Sequence, residues 1–510
     1  MGLLMSGIAV VQTAMVRGME ALPIRVEVSM SAGLPGIVIV GRPDPAIAES
    51  RSRVRCALKS AGFKMPRESV TVNLSPAEIP KMGTSFDLPI ALAILAASGQ
   101  IPTDGFENAL IVGELSLDGR LRTPRGLVAC AALAVQTNKT LICPKSTLFD
   151  AIGNIHGRFV SSLDEFRNPL SFVGEDIECV CIDNSLPPSV HGFSDVAGQS
   201  LAKRALAIGA SARLGVLMIG PPGIGKTLLA SCIPSLLPPL NDKELYETAL
   251  LHSLVGDDVD SIVSRIRPFR APHHSTSMAG LIGGGKPVRP GEISLAHNGV
   301  LFLDEMGEFA SKTLQALRQP LEEKAVRITR IEGTYEFPCN FELVAASNPC
   351  PCGKLGDPNG TCTCTEAAIA SYRTRLVGPL IDRVHMVIRL ERPSVAEIMA
   401  GAKPNETFEW RQKVCDAVAF MKEREDLQKR NEVSEGAMRS SMVYILQKLA
   451  FYPKAMNLIE KMIENGNVSV RGAYALVKVA RAVADFEQSA EVSEDHVLEA
   501  VNYRDAQVIS

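Results

Sequence analysis

The sequence lacks an apolar run long enough to cross a lipid bilayer. Its longest apolar stretches, at the N-terminus and near Leu88–Ser98, fall short of the roughly 20 residues that a spanning helix needs. The segment Met1–Val16 also lacks the basic start and the cleavage site of a signal peptide. We therefore expect a cytoplasmic protein with no membrane partner.

An excess of one charge is also missing. The chain has 53 Lys and Arg against 56 Asp and Glu, so its net charge of −3 gives no indication of nucleic acid, and any polyanion must bind a local patch. Twelve cysteines without a secretory signal indicate thiols or metal ligands in a reducing compartment, and not a disulfide framework. Internal repeats and low-complexity tracts are absent, and 510 residues predict about three domains.

The most informative feature that is present is a phosphate-binding loop. Gly220-Pro221-Pro222-Gly223-Ile224-Gly225-Lys226-Thr227 fits G-x-x-x-x-G-K-[ST] at every position, between the apolar run Gly215–Ile219 and Leu228–Ala230. This order predicts strand, loop and helix. Glycines let backbone N–H groups converge on a triphosphate, while Lys226 reaches the β and γ phosphates and Thr227 offers its hydroxyl to Mg²⁺. The loop therefore predicts ATP and Mg²⁺ as cofactors.

A second apolar strand, Val300–Leu303, ends in the carboxylates of Asp304 and Glu305. A buried parallel strand delivers acids in this way to the edge of a nucleotide site. We expect Asp304 to hold the Mg²⁺ shell and Glu305 to polarise the attacking water. Together with the phosphate loop, this pair predicts hydrolysis of the bound nucleotide.

The pattern of apolar residues divides the chain into four regions. Residues 1–165 alternate short β-rich runs with helix-like stretches, which predicts an α/β or α+β domain. Residues 166–190 have little periodicity and are assigned as a linker. Residues 191–393 are expected to form a doubly wound parallel sheet around the nucleotide motifs, and residues 394–510, with their helical periodicity and Glu/Lys pairs, a helical lid.

Several motifs, in this order along the chain, resemble those of a known family. They are Ser194–Gln199 with Lys203–Leu206, the phosphate loop, Phe269–Ser275, Leu301–Glu305, Ser347–Gly353 and Gly378–Arg383. The chain resembles the P-loop AAA+ ATPases, and specifically the magnesium-chelatase-like branch that includes the ComM/YifB family. Val72–Ala77 and Phe86–Ala91 favour that family over the chelatase subunits. The resemblance implies a homo-oligomeric ring, expected to be a hexamer.

The same resemblance implies roles for three single residues. Asn348, at the end of the strand Leu343–Ala346, would act as sensor 1 on the lytic water or the γ-phosphate, a role that suits an uncharged amide. Arg383 would enter the neighbouring subunit's site as an arginine finger, and Arg471 on the lid would act as sensor 2. If Arg383 acts in trans, an isolated subunit has no complete site.

Two basic elements are candidates for contact with DNA. Residues 265–289 carry several basic side chains, no acidic residue and the slim run Gly280–Gly285, while residues 325–337 predict a β-hairpin with its turn at Glu332-Gly333-Thr334. In the resembling family these elements correspond to a helix-2 insertion and a pre-sensor hairpin that face the pore, where basic side chains would bind phosphates without sequence preference. The candidates are Arg270, Lys286, Arg289, Arg327 and Arg330. The alternative is that the arginines pair with acidic neighbours or line a subunit interface.

Four cysteines form a cluster just after the sensor: Cys350, Cys352, Cys362 and Cys364. Their thiolates could form a tetrahedral, structural Zn²⁺ site that holds a glycine-rich loop. The C-x-C spacing is tighter than the common spacing of zinc ligands, so free thiols are the alternative.

The N-terminal region also resembles the peptidase domain of Lon proteases, an α+β fold of the ribosomal S5 domain 2 type. Pro80–Ser85 lies where that family has its nucleophilic serine motif, and Gly113–Arg120 is similar to the strand and turn that lead to its lysine. A serine nucleophile needs an adjacent base, and this chain has Val128 at the position of the lysine. We therefore expect a scaffold or a DNA contact, and not proteolysis.

Taken together, the motifs predict an Mg²⁺-dependent ATPase of the AAA+ type. The resemblance, with the two basic elements, implies that it forms a ring that moves on single-stranded or branched DNA. The expected activity is branch migration or unwinding of recombination intermediates as incoming strands are integrated in natural transformation. Two alternatives remain open. One is a protein-remodelling or chelatase-type motor that acts on a partner protein, and the other is a nucleotide-switched scaffold that hydrolyses ATP slowly.

Overall fold

Within the described residues, the N-terminal region contains two mixed four-stranded sheets, a two-stranded sheet and three α-helices. The structure is a computed structural model, and it describes residues 8–151, 153, 155–168, 173–177, 191–356, 360–377, 380, 383–401, 403–431, 442–465 and 469–504. The N-terminal elements are β1 (Ile8–Arg17), β2 (Glu20–Ser31), β3 (Gly36–Val40), α1 (Pro45–Ser60), β4 (Ser69–Ser75), α2 (Asp87–Ala97), β5 (Ala109–Ile111), β6 (Glu114–Leu115), β7 (Leu121–Arg122), α3 (Leu127–Gln136), β8 (Thr140–Cys143), β9 (Ile155–Phe159) and β10 (Glu175–Ile177).

The first sheet has the order β1-β2-β4-β3, in which β3 pairs parallel with β4 and the other pairs are antiparallel. The second has the order β10-β9-β8-β5. The side chains of β4 alternate between buried and half-buried, so Val70, Val72 and Leu74 face the core. Helix α2 is apolar on every side and is buried against β1 and β2. These mixed sheets with packed helices agree with the predicted α+β class.

The structure adds strands to the N-terminal region that the sequence pattern did not predict, namely β1, β7, β9 and β10. It also corrects the linker, which begins later than residue 166: Phe166 is buried in the N-terminal core, and β10 pairs antiparallel with β9. Polar side chains such as His156 and Glu175 leave these two short strands without an apolar pattern. Residues 178–190 of the predicted linker lie outside the described residues.

A parallel sheet forms the centre of the middle region. Its elements are α4 (Ser200–Ala212), β11 (Val216–Ile219), α5 (Lys226–Ser231), α6 (Ile233–Leu236), α7 (Asp242–Val255), α8 (Asp260–Val263), β12 (Phe269–Arg270), α9 (Met278–Ile282), β13 (Gly283–Gly284), β14 (Arg289–Pro290), α10 (Glu292–Leu295), β15 (Val300–Leu303), α11 (Ser311–Ala316), α12 (Arg318–Glu323), β16 (Ala325–Arg330), β17 (Gly333–Pro338), β18 (Glu342–Ser347), α13 (Glu366–Val377) and β19 (Met386–Arg389).

The sheet has the order β12-β15-β18-β11-β19 and all its pairs are parallel, which confirms the predicted doubly wound arrangement. Strands β11, β15 and β18 are buried along their whole length because helices cover both faces. The three strands are neighbours, so their carboxyl ends lie side by side. The phosphate loop, the acid pair and Asn348 follow these ends, and this topology brings them together.

The C-terminal region is helical among the residues that the structure describes. Its helices are α14 (Val395–Ala400), α15 (Glu406–Asn431), α16 (Met442–Lys448), α17 (Pro453–Glu464), α18 (Val470–Phe486) and α19 (Glu494–Asn502). Helices α15 and α18 pack on α4, and Arg204 of α4 forms ion pairs with Glu487 and Glu499. The helical bundle therefore shares one core with a face of the sheet. Within the described parts of the chain, no helix is both long and apolar enough to cross a bilayer.

The N-terminal region docks on the middle region through α3 and α7. Apolar side chains of both helices, such as Ala131 of α3 with Leu245 and Leu250 of α7, belong to one buried cluster. The backbone N–H of Gly126 also donates a 2.8 Å hydrogen bond to the carbonyl of Ser253. The two regions are therefore joined by a continuous core.

Candidate functional site

The phosphate loop connects the carboxyl end of β11 to α5. Gly223 and Gly225 have φ angles of +78° and +88°, in the left-handed region that glycine tolerates. A Cβ atom at Gly220 would lie 2.9 Å from the backbone carbonyl oxygen of Leu390, so this position also requires glycine. Left-handed residues in such a loop turn successive backbone N–H groups toward one side, where an anion can bind.

Lys226 is buried beneath this loop. Its amine donates hydrogen bonds to the carbonyl oxygens of Gly220 (2.7 Å) and Pro221 (3.0 Å) and to Oδ1 of Asn348 (2.9 Å). Burial lowers the pKa of Lys226 from its ordinary value, while the charges of nearby carboxylates act in the opposite direction. The structure thus places the predicted loop lysine and the predicted sensor amide in direct contact.

Thr227 and Asp304 also meet at this edge of the sheet. The hydroxyl of Thr227 donates a 2.7 Å hydrogen bond to Oδ2 of Asp304, which follows β15 directly. Hydroxyl and carboxylate oxygens are ligands that Mg²⁺ accepts, together with phosphate oxygens and water. The two residues therefore fit an Mg²⁺ ion, and they are the side chains that would hold it.

Glu305 has an unusual backbone conformation, with φ at +49°. A non-glycine residue in this region is energetically costly and occurs preferentially at functional sites. The carboxylate is exposed, and its Oε2 lies 3.6 Å from Nδ1 of His274. His274 packs edge-on against Phe309 at a centroid distance of 6.4 Å. Sequence reasoning did not assign His274, although its position after β12, the neighbour of β15, was an available signal.

A cavity of about 380 Å³ opens beside the loop and the sensor, and Gly220, Pro221 and Asn348 line it. Arg373 of α13 lines the same cavity and is half-buried. Sequence reasoning did not single out this arginine, because α13 carries no motif that points to the phosphate loop. Its position supplies a further cation near the loop in the same subunit.

Three family models match the chain. They are the subunit ChlI of Mg-chelatase over residues 26–147, the magnesium chelatase subunit ChlI over residues 192–398 and its C-terminal model over residues 405–504. YifB of Escherichia coli K12 is 38% identical over 506 residues, which are 98% of this chain and 97% of YifB. The competence protein ComM of Haemophilus influenzae is 37% identical over 509 residues, 98% and 97% of the two chains. This chain belongs to the ComM/YifB family. It is a magnesium-chelatase-like ATPase, and ATP with Mg²⁺ is the ligand set of that class.

This ComM/YifB protein has a further, shorter match. An archaeal Lon protease of Thermococcus kodakarensis is 41% identical over 69 residues, which are 12% of this chain and 11% of the protease. In the structure, the amine of buried Lys81 donates to the carbonyl of Pro76, and Val128 is buried in α3. Within the described residues, Lys81 forms no hydrogen bond with Ser85. The match therefore supports part of a Lon-like fold and does not add a catalytic base.

Arg383 of the ComM/YifB protein lies near the amino ends of the parallel strands, whereas the phosphate loop follows their carboxyl ends. Val216 at the start of β11 pairs with Met386, whereas the loop follows Ile219 at the other end of this strand. The guanidinium of Arg383 forms an ion pair with Glu322 of α12, and its buried Nε has no hydrogen-bond partner among the described residues. The two ends of β11 are separated by four strand residues, which span roughly 13 Å. Arg383 therefore does not reach the phosphate loop of its own subunit.

Arg471 lies in the first turn of α18. The hydroxyl of Ser469 caps this helix by accepting a hydrogen bond from the N–H of Gly472 at 3.1 Å. The side chain of Arg471 lies outside the described residues, as do Gly378, Pro379, Ile381 and Asp382 of the predicted finger motif. The sensor 2 assignment therefore stays a prediction.

Two of the five candidate DNA contacts are engaged with acidic side chains. Arg270 forms ion pairs with Glu292 (2.7 Å) and Asp257 (3.0 Å), and these partners raise its pKa. Arg327 pairs with Glu336 (2.8 Å) and with Glu323 (3.0 Å). For both residues the structure has the alternative arrangement, in which the arginine neutralises acidic neighbours. Arg270 thus braces β12 against α10.

The other three candidates have free cationic groups. Lys286, Arg289 and Arg330 are exposed and form no ion pair with any described residue. Arg330 lies at the end of β16, next to the turn of the predicted hairpin, which the structure confirms. This turn lies at Ile331-Glu332, one residue before the predicted position.

The four cysteines form one cluster. The sulfur atoms of Cys350, Cys352, Cys362 and Cys364 all lie within 4.8 Å of one another, and three of the distances are 3.4, 3.6 and 3.7 Å. A tetrahedron with Zn–S bonds of about 2.3 Å has edges of about 3.8 Å, so this donor set fits Zn²⁺. Backbone hydrogen bonds at Lys354 and Thr363 lower the pKa of Cys352 to about 5, which favours a thiolate.

The cysteine loop also contacts the nucleotide site. A Cβ atom at Gly353, which has a φ of +75°, would lie 2.8 Å from Cδ of Pro222 and 3.8 Å from Cγ of Asn348. Only a residue without a side chain permits this close approach. The cysteine loop therefore packs, at Gly353, against both Pro222 of the phosphate loop and the sensor residue Asn348.

Proposed function

We propose that this ComM/YifB protein is a ring-forming motor that uses ATP hydrolysis to move along DNA. Its activity would be branch migration or unwinding of recombination intermediates. The observation that carries the DNA part is the contrast among the basic side chains. Lys286, Arg289 and Arg330 on the two predicted pore elements form no ion pair with the part of the chain that the structure describes, although acidic partners neutralise Arg270 and Arg327.

Within one subunit, the residues around the phosphate loop account for nucleotide binding and for part of the hydrolysis. Lys226 and the loop would bind the triphosphate, and Thr227 and Asp304 would hold Mg²⁺, which when bound would supply positive charge beside the phosphates. Glu305 orients and polarises the attacking water. Asn348, already bonded to Lys226, would detect the γ-phosphate through its amide.

The position of Arg383 supports a ring. Its guanidinium lies too far from its own phosphate loop to stabilise the charge that develops on a γ-phosphoryl group. In a closed ring the same side chain meets the neighbouring subunit's site, and a finger of this kind contributes roughly 10³–10⁵ in rate. Glu322 holds Arg383 in the isolated subunit, so ring assembly would exchange this carboxylate for phosphate.

Family membership supports a role with DNA. The Haemophilus influenzae relative is named a competence protein, and the match covers nearly all of both chains. Competence involves the uptake of DNA, so integration of incoming strands is the process that we propose for this motor.

Steady-state ATP hydrolysis with and without DNA tests the proposal. We expect single-stranded and forked DNA to increase the rate, and salt to weaken this stimulation, because phosphate contacts release counterions. Arg330→Ala should reduce the stimulation, whereas Arg327→Ala on the same hairpin, already paired with Glu323 and Glu336, serves as the matched control.

The outcomes separate the alternatives. Hydrolysis without DNA stimulation at any ionic strength would favour a motor that acts on a partner protein. Equal, near-zero rates for the wild type and for Glu305→Gln would favour a nucleotide-switched scaffold.

A further inference from the structure

A cavity of about 410 Å³ lies between the N-terminal region and the middle region. One wall consists of Met82–Ser85 and Arg125 of the N-terminal region. The other wall consists of Leu254, of residues 286–288 between β13 and β14, and of Arg289 at the start of β14. The cavity is thus built by two regions to which separate roles are assigned.

Three cationic side chains line this cavity: Arg125, Lys286 and Arg289. None of them forms an ion pair with a residue in the described ranges. The pKa of Arg289 is lowered by burial and then by the positive charge of Arg125, and no carboxylate offsets this shift. Two like charges therefore face the same space without a counterion.

The acidic side chains at the cavity are engaged elsewhere. Asp44 caps α1 by accepting from the N–H of Ile47 (2.8 Å) and also accepts from the N–H of Gly83 (3.2 Å). Glu114 accepts a hydrogen bond from the hydroxyl of Thr84. Both carboxylates keep their charge, but these contacts hold them on the wall of the N-terminal region. Three cations and two carboxylates therefore line the cavity, and an external anion would balance the remaining positive charge.

The backbone that follows Arg125 is held by close contacts. Gly126, the next residue, has a φ of +71° and donates through its N–H to the carbonyl of Ser253 of α7 at 2.8 Å. A Cβ atom at Gly126 would lie 2.7 Å from Cγ2 of Val16, so the chain passes through this point in one conformation. The cationic wall is therefore formed before any ligand binds.

The cavity continues toward the hairpin. A Cβ atom at Gly284 of β13 would lie 3.1 Å from Nη2 of Arg330, so the insertion and the hairpin are in contact. Arg330 therefore lies beside the insertion that carries Lys286 and Arg289, and these three cations and Arg125 form no ion pair within the described parts of the chain. A set of four such cations suits a polymer with repeated charges better than a single small anion.

We propose that this cavity binds the phosphate backbone of a nucleic-acid strand, and that Arg125 is the contact contributed by the N-terminal region. The hydroxyl of Ser85, which lines the cavity, supplies an additional donor. This inference rests on the proposed function, since it assumes a motor that acts on DNA. It assigns to the N-terminal region a direct part in gripping the strand, beside its docking on α7.

The test measures binding of the full-length protein to a fluorescent single-stranded oligonucleotide of mixed sequence at several salt concentrations. We expect Arg125→Ala to bind roughly tenfold more weakly and to reduce the slope of log K against log salt by about 0.7, the value of one lost phosphate contact. Arg55→Ala is the matched control, because Arg55 is exposed on α1 of the same region and does not line the cavity. Its affinity and slope should equal those of the wild type.

The thermal unfolding midpoint of Arg125→Ala, compared with the wild type, shows whether the variant is folded. Wild-type DNA affinity and slope in the folded variant overturn the inference and leave the proposed function standing, even if the variant binds inorganic phosphate more weakly. A loss of affinity with an unchanged slope also overturns it. No DNA binding by the wild type at any salt concentration overturns the proposed function itself.

Discussion

The amine of Lys226 donates a 2.9 Å hydrogen bond to Oδ1 of Asn348. This bond links the phosphate loop after β11 to the end of the neighbouring strand β18. The same amine also satisfies the carbonyls of Gly220 and Pro221. A bound triphosphate would compete for this amine, so the sensor and the loop respond to one ligand.

Asn348→Ala should separate ATP binding from hydrolysis. Lys226 keeps its contacts with the loop in this variant, so we expect affinity for ATP within a few-fold of the wild type. Loss of one positioned polar group should reduce the hydrolysis rate by roughly 10²-fold. Equilibrium binding of a fluorescent ATP analogue and steady-state hydrolysis check the two parts. Lys226→Ala is the comparison, since it should lose binding; hydrolysis by Asn348→Ala at the wild-type rate would contradict the sensor role.

Mixing Arg383→Ala with Lys226→Ala should restore ATP hydrolysis. We expect Arg383→Ala alone to lose roughly a thousandfold in ATP hydrolysis, and Lys226→Ala alone to be inactive. In a mixed ring, a subunit with an intact phosphate loop can lie beside one with an intact Arg383. The rate of the mixture should therefore exceed the sum of the separate rates. A mixture that shows only this sum would exclude a finger acting between subunits.

The sequence predicts that the phosphate loop, Asp304 and Asn348 lie close together, because each follows a buried apolar strand and the carboxyl ends of neighbouring parallel strands lie side by side. The acidic partners of the arginines could not be predicted from the sequence. Glu292 and Asp257 lie on other elements than Arg270, and only the folded chain brings them to it. The segment that carries Arg270 has no acidic residue, yet its charge is neutralised from outside. Charge along a sequence does not predict which cation is free.

The strands of the second N-terminal sheet show a similar limit. Strand β10 contains Glu175 and Asp176, which pair with Arg158 and His156 of β9. The cross-strand partners of these residues are polar, so the segment has no apolar pattern that would predict a strand. The sequence of this segment therefore predicts a linker, although the structure contains β10 there.

The cysteine cluster should bind one Zn²⁺ per chain. Metal analysis of the purified protein checks this, and Cys352→Ser should lose the metal because one of the ligands is missing. Since Gly353 packs on Pro222 and Asn348, we also expect a lower unfolding temperature and slower ATP hydrolysis. Cys56→Ser is the matched control, because Cys56 is exposed on α1. Full metal content in Cys352→Ser would show that the cluster is not the site.

Glu342 should make stability fall as pH rises. This carboxyl is buried at the start of β18, neither oxygen has a hydrogen-bond partner among the described residues, and burial raises its pKa to about 8. Between the pKa of the unfolded chain, about 4.3, and about 8, the folded state binds more protons than the unfolded state, so stability decreases with increasing pH in this window.

Thermal unfolding of Glu342→Gln and of the wild type between pH 5 and 8 tests this prediction. The neutral amide removes the titration, so the unfolding midpoint of the variant should fall less with pH. Glu409→Gln, at an exposed position of α15, should follow the wild type. If the unfolding midpoints of Glu342→Gln and of the wild type fall equally with pH, the result would contradict a proton bound to Glu342 in the folded state.

The central claim is that ATP hydrolysis at the site of Lys226 and Asp304 drives movement on DNA. The most direct test is branch migration of synthetic three-way and four-way DNA junctions in the presence of ATP and Mg²⁺. The wild type should convert the junctions to product duplexes, and Lys226→Ala should leave them intact. A wild-type protein that hydrolyses ATP but converts neither junction at any ionic strength would contradict the proposed motor.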